Sequence, residues 1–135
     1  MRTTRVAAAV FAVVTAGIVA FQLALALGAP WGSYAMGGTF SGTYPPSMRT
    51  AAVVQAALLV VVALVVLARG GVALSGWSRF ARWAAWVVVA MSVLALVLNV
   101  ITPSGGERAI WAPVSAVLLV CSIIVAVSKD GPAAD

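Results

Sequence analysis

Three side-chain amides are the strongest polar groups within the apolar segments of this chain. Gln22 lies near the end of one apolar segment, Gln55 near the start of the next, and Asn99 near the end of a third. If consecutive segments cross a bilayer in alternate directions, all three amides fall at the same end of the protein. An amide in an apolar layer needs a hydrogen-bond partner. The spacing therefore predicts a polar cluster at one end of a helical assembly.

Charged and aromatic residues flank the segment ends nearest to these amides. They are Trp31, Arg49, Glu107, Arg108 and Trp111. Together with the amides they predict a small vestibule between helices that binds a ligand. The alternative is that the amides bond to one another or to loop carbonyls and only hold the helices together, which contributes roughly 0.6 to 2 kcal/mol for each bond. The sequence leaves both interpretations open.

Glu107 also fits a purely structural role. The stretch from Ser104 to Glu107 matches the capping box, in which the serine side chain accepts from the amide three residues on and the glutamate bonds back. The negative charge also suits a helix N-terminus. The pattern favours a cap, or an ion pair with Arg49 or Arg108, over a catalytic acid.

Residue types that catalysis and metal binding require are scarce in this sequence. It contains no histidine, one cysteine and three acids. No Ser-His-Asp set, HExxH motif or pair of carboxylates in one site can be read from it, and Cys121 has no partner for a disulfide. We therefore expect no catalytic residue, no metal and no cofactor. A membrane enzyme that uses Glu107 and Arg49 is the third of three functional hypotheses.

Composition and segment lengths predict the fold class. The chain is 64% hydrophobic and 8% charged, with a mean hydropathy of +1.14, unlike a soluble domain. Four apolar segments approach the ~20 residues that a transmembrane helix needs. They cover residues 6–27, 50–67, 83–102 and 109–127. We expect an all-α, integral membrane four-helix bundle that forms a single domain over residues 1–135. The first segment is longer than the roughly 7 to 15 residues of a signal-peptide core, which favours a retained helix over a cleaved signal.

The cations predict orientation. Eight Lys and Arg residues give a net charge of +5, but they are spread along the chain at segment ends and form no basic face, so we expect no nucleic-acid binding. With the N-terminus inside, the inner side holds Arg2, Arg5, Arg69, Arg79, Arg82 and Lys129, and the outer side holds Arg49 and Arg108. This asymmetry favours N-in, C-in in the cell (plasma) membrane, with the loop of residues 28–49 outside. Trp31, Tyr34, Tyr44 and Trp111 would then mark the outer interface.

Two further patterns predict packed helix faces. Small residues at a spacing of four suggest a ridge that another helix can approach closely: Ala8, Ala12, Ala16, Ala20 and Ala24. Polar pairs at a spacing of seven should turn one stripe of each helix toward the interior: Thr15 with Gln22, Ser92 with Asn99, and Ser115 with Ser122.

Two segments carry a resemblance to a group of known proteins. The first is the GAPWG stretch of Gly28–Gly32, followed by Gly37, Gly38, Pro45 and Arg49. The second begins at Glu107 and Arg108 and continues through Ile110, Trp111 and Pro113. The sequence resembles small four-span bacterial integral membrane proteins of uncharacterised function, with a GAPWG loop after the first helix and an ERxIWxP segment opening the fourth. The resemblance implies that the two segments belong together. Small multidrug exporters are similar in size but use a glutamate in the first helix, where this chain has Thr15 and Gln22.

The leading functional hypothesis is a membrane protein that binds either a partner protein or a small amphipathic or lipid ligand at the outer vestibule. The second is a small channel or transporter assembled as an oligomer. Besides the lipid bilayer, a membrane-protein partner or a second copy of the chain is therefore an expected partner.

Overall fold

The computed structural model describes residues 2–129, and that part of the chain is all-helical, without strands. Its long helices are α1 (Arg2–Ala26), α2 (Pro46–Arg69), α3 (Ser78–Ile101) and α4 (Gly105–Ala126). Each is long and apolar enough to cross a membrane, and lengths of 22 to 25 residues correspond to about 33 to 38 Å. The predicted all-α class with four apolar helices is confirmed.

The helix ends follow from local sequence. Gly28, with φ of +104°, ends α1 because the amides of Gly28 and Ala29 turn back to the carbonyls of Leu25 and Ala24. Pro46 is the first residue of α2, a position at which the missing N–H costs nothing. Each connection reverses the chain, so successive helices run in opposite directions.

Packing differs between the two ends of the bundle. We call the end that carries residues 27–45 and the turn before α4 the loop end. At the opposite end, all four helices meet in one apolar core that includes Phe11, Val66, Val88 and Val125. The helices approach closely there: a Cβ on Gly70 would lie 2.5 Å from the Cβ of Ala8. That half of the bundle is therefore closed by side chains.

The polar stripes face the interior as predicted, but the alanine ridge is only partly packed. Thr15, Gln22, Ser92, Ser115 and Ser122 are buried and Asn99 is half-buried. On α1, by contrast, Ala8 is buried while Ala16 and Ala20 are exposed. A spacing of four residues advances about 40° beyond a full turn at every step, so the ridge winds away from its neighbour. A spacing of seven drifts by only about 20° and keeps its face.

The loop of residues 27–45 folds over the bundle through two short 3₁₀ turns, Gly32–Tyr34 and Met36–Gly38. Gly32 is buried at its centre and donates to the carbonyl of Gly42 at 2.8 Å. A Cβ on Gly32 would lie 1.7 Å from the carbonyl oxygen of Phe40, so only glycine fits. The loop is thus a compact cap rather than an extended connector.

Candidate functional site

A cavity of about 650 Å³ lies beneath the loop and between the four helices. This volume is within the roughly 300 to 1,000 Å³ that is typical of small-molecule sites. Five of the residues predicted from the sequence line it: Gln22, Gln55, Asn99, Glu107 and Trp111. Its floor is apolar and includes Leu118, which also belongs to the core of the opposite end. The cavity therefore ends inside the bundle, halfway along the helices.

Helix α4 places Glu107 in the cavity wall through an N-terminal cap. The Ser104 hydroxyl accepts a hydrogen bond from the Glu107 amide at 3.1 Å, which confirms the first half of the predicted capping box. The second half is wrong. The amide of Ser104 donates to the Thr102 hydroxyl at 3.2 Å, because that hydroxyl lies between Ser104 and the carboxylate.

The carboxylate of Glu107 is instead directed to groups outside its own cap. Glu107 is 8% exposed, and its Oε2 accepts from the Thr102 hydroxyl at 2.6 Å and from the main-chain amide of Gly37 at 2.9 Å. Both bonds are to an acidic side chain and belong to the stronger class of hydrogen bonds. Within residues 2–129, the other oxygen, Oε1, accepts no hydrogen bond. One oxygen of the carboxylate is thus held in place, and Glu107 still lines the cavity.

The three amides are not joined to one another. Asn99 Nδ2 donates to the Ser115 hydroxyl at 2.8 Å, a bond between α3 and α4. Gln22 is only 9% exposed, yet its side chain forms no hydrogen bond within the described residues. Gln55 is exposed on α2 and also lines the cavity. The interpretation in which the amides only hold the helices together therefore describes Asn99, but it does not account for Gln22 and Gln55.

Besides the bond between Gly37 and Glu107, two further hydrogen bonds fasten the loop to the start of α4. The indole N–H of Trp111 donates to the carbonyl of Tyr34 at 2.7 Å, and the Ser104 hydroxyl donates to the carbonyl of Ser33, also at 2.7 Å. The Trp111 ring also packs edge-on against Phe21 of α1, with ring centroids 4.8 Å apart. The loop, α1 and α4 are therefore held together directly above the cavity.

Three predicted site residues lie outside the cavity lining. The Arg49 Nε donates to the carbonyl of Tyr44 at 2.9 Å, and Arg108, which is exposed, donates to the carbonyl of Thr102 at 2.8 Å. In the described part of the chain, neither arginine forms the expected ion pair with Glu107. Trp31 is 45% exposed and lies nearly parallel to Phe21 with centroids 6.2 Å apart. Each arginine therefore donates to a backbone carbonyl of a neighbouring residue rather than to the carboxylate.

The sequence interpretation did not assign Tyr44 to the site. It was expected to mark a membrane interface, but it is 4% exposed and lines the cavity. Burial, and secondarily the charge of Glu107, raise the pKa of the Tyr44 hydroxyl above its usual value of 10.0. Thr102, which orients the carboxylate, was also missed. A hydroxyl five residues before an acid gives no sequence signal, because the turn between them sets their approach.

The cavity can bind and orient a molecule through a few kinds of polar group. Among residues 2–129, no group of three or more His, Cys, Asp or Glu side chains is placed to hold a metal ion. The cavity offers one carboxylate, hydroxyls, amides and aromatic rings above an apolar floor.

No family model, curated protein or solved structure matches this chain. The resemblance drawn from the GAPWG and ERxIWxP segments stays a prediction. A helical bundle alone does not determine an activity, so the cavity carries the functional interpretation.

Proposed function

We propose that this protein binds a small amphipathic molecule within the membrane, in the cavity beneath the loop. The observation that carries the proposal is the unpartnered amide of Gln22, nine-tenths buried in the lining of a cavity of about 650 Å³. An amide in apolar surroundings is stabilised by a hydrogen-bond partner. A bound molecule with a polar group would supply one.

A small ligand suits this site better than a docked protein segment. The loop covers the cavity and is tied to α4 through Ser104 and Trp111, so access from beyond the loop end is restricted. The lining is mostly apolar with a few polar groups, the usual composition of ligand pockets. This combination matches the apolar body and polar group of an amphiphile.

The alternative of a channel or transporter has less support from this arrangement. The cavity stops at Leu118, and the core that includes Phe11, Val66 and Val125 fills the other half of the bundle. Residues 2–129 of a single chain leave no continuous path in this conformation, so transport would require a second conformation or an oligomer. Flux into liposomes that Gln22→Ala abolishes would support that alternative.

Native mass spectrometry from a mild detergent tests the binding proposal. We expect the purified protein to carry a small molecule. Ala95→Phe, which adds a ring at the cavity lining, should release it, whereas Ala57→Phe on an exposed position of α2 should not. A protein that carries nothing and takes up no amphiphile would refute the proposal. A copurifying protein subunit would favour the partner hypothesis instead.

The proposed location is the plasma membrane, with both termini inside and the loop outside. Its support is the placement of Arg2, Arg5, Arg69, Arg79, Arg82 and Lys129 at the end opposite the loop. In a Cys121→Ala background, Ser41→Cys of the loop should react with an impermeant maleimide on intact cells. Ser75→Cys of the α2–α3 connection should react only after permeabilisation. The reverse pattern would invert the proposed orientation.

A further inference from the structure

We infer that the molecule bound in this cavity is a monovalent cationic amphiphile, an amine or quaternary ammonium with a hydrocarbon body, whose charged group lies against Glu107. This inference rests on the proposed binding function and names its ligand class. It follows from the charge of the lining, the aromatic walls, and the shape of the apolar part.

The charge of the cavity lining is carried by Glu107. Arg49 and Arg108 donate to backbone carbonyls of Tyr44 and Thr102 and do not line the cavity. The N-terminus of α4 supplies only about half a positive charge next to the carboxylate. A bound cation would therefore complete the neutralisation, while an anionic headgroup would meet a negative charge in a medium of low dielectric constant. Oε1, which accepts no hydrogen bond within residues 2–129, is the atom available to an ammonium group.

Aromatic rings surround the same region. Phe21, Tyr34, Tyr44 and Trp111 all line the cavity. Trp111 is held by its bond to the Tyr34 carbonyl and by its edge contact with Phe21. Aromatic faces attract organic cations, and most strongly where water is excluded. The carbonyl oxygen of Gln22 is a further acceptor for an N–H donor, and it has no competing partner in the described part of the chain.

The apolar part of the cavity fits a hydrocarbon body and leads toward the lipid. A groove of about 580 Å³ runs along α2 and reaches Met91 of α3. It shares Ala51, Gln55 and Leu59 with the cavity. Helices α2 and α3 meet mainly at the opposite end, so the groove leaves the cavity sideways between them. A single metal ion or a small hydrated cation would leave these apolar walls uncovered, which argues for an organic cation.

Side-chain amide NMR provides a direct test because the chain has only three side-chain amides, and all of them line this cavity. The full protein in phosphatidylcholine nanodiscs is titrated with three probes that share one tail: dodecyltrimethylammonium, dodecanol and dodecanoate. We expect the ammonium probe to shift the Gln22 and Asn99 resonances at a lower concentration than the other two probes. Dodecanoate should require the highest concentration to shift them. The indole resonance of Trp86, exposed on α3, serves as the reference for nonspecific partitioning.

The variant Glu107→Gln then tests the role of the carboxylate. It should lower the affinity for the ammonium probe by about tenfold or more, as expected when a charge-assisted contact is lost. The affinity for dodecanol should stay the same. Equal responses to all three probes would overturn the cationic assignment while the binding proposal stands. No response of the amides to any probe would overturn both. Because the three probes are compared on the wild-type protein, the result stands even if Glu107→Gln fails to fold.

Discussion

The main-chain amide of Gly37 donates to the carboxylate of Glu107 over 2.9 Å, and these residues are 70 positions apart in the chain. This bond ties the loop to the start of the fourth helix and fixes one oxygen of the carboxylate at the cavity wall. The loop glycine thus contributes through its backbone, and the acid acts as more than a local helix cap.

The Thr102 hydroxyl should be important for stability. It donates to Glu107 at 2.6 Å and accepts from the amide of Ser104 at 3.2 Å. Thr102→Val keeps the shape but leaves the buried carboxylate with one donor fewer, so we expect a loss of about 1 to 3 kcal/mol in the free energy of unfolding. Reversible unfolding in detergent measures this loss. Thr3→Val, at an exposed position of α1, is the control, and equal stability of the two variants would contradict the assigned role.

The indole N–H of Trp111 should hold the loop down. Trp111→Phe removes its bond to the Tyr34 carbonyl but keeps an aromatic ring next to Phe21. We expect a loss of about 0.5 to 1.5 kcal/mol and faster hydrogen exchange of the loop amides. Trp86→Phe removes an exposed indole from α3 and should leave loop exchange unchanged. Unaltered exchange in Trp111→Phe would show that other contacts fasten the loop.

Gly32→Ala should disrupt the loop. The added Cβ would lie 1.7 Å from the carbonyl oxygen of Phe40, and backbone atoms there can yield only if the turn rearranges. We expect destabilisation of more than about 1 kcal/mol and loss of amphiphile binding. Gly17→Ala on α1, where a Cβ meets nothing within 4 Å, should be neutral or slightly stabilising. If both substitutions were tolerated equally, the loop would not be packed tightly around Gly32.

Tyr44 should titrate above pH 10.0. Burial and the charge of Glu107 raise its pKa, so the folded protein holds the phenolic proton more tightly than the unfolded chain. The associated stability is fully present below pH 10.0 and is lost as the pH rises through the raised value. In Tyr34→Phe, Tyr44 is the sole tyrosine, and its tyrosinate absorbance reports the midpoint directly.

The variant Glu107→Gln in this single-tyrosine background separates the two causes. It should lower the Tyr44 midpoint but keep it above 10.0, because burial is the larger cause. A midpoint at 10.0 or below in the parent would contradict the buried placement of Tyr44. An unchanged midpoint after Glu107→Gln would show that the carboxylate is too distant to influence the hydroxyl.

Much of the candidate site could be predicted from segment ends. Gln22, Gln55, Asn99, Glu107 and Trp111 line one cavity, because antiparallel helices bring these chain positions to the same end. Trp31, Arg49 and Arg108 occur near the same end but do not line it. Nearness to a segment end fixes depth along the helix, but it does not fix the direction in which a long side chain points.

The sequence by itself determined the all-helical class, the four apolar helices and the inward-facing polar stripes. These depend on residue hydropathy and on the helical repeat, which are local properties. Only the tertiary structure decided that Glu107 bonds to Thr102 and Gly37 rather than to an arginine, and that Tyr44 turns into the cavity. Those contacts depend on how the loop folds over the bundle. That fold is set by turns at Gly32 and Gly37 and by hydrogen bonds between distant residues, which no local pattern encodes.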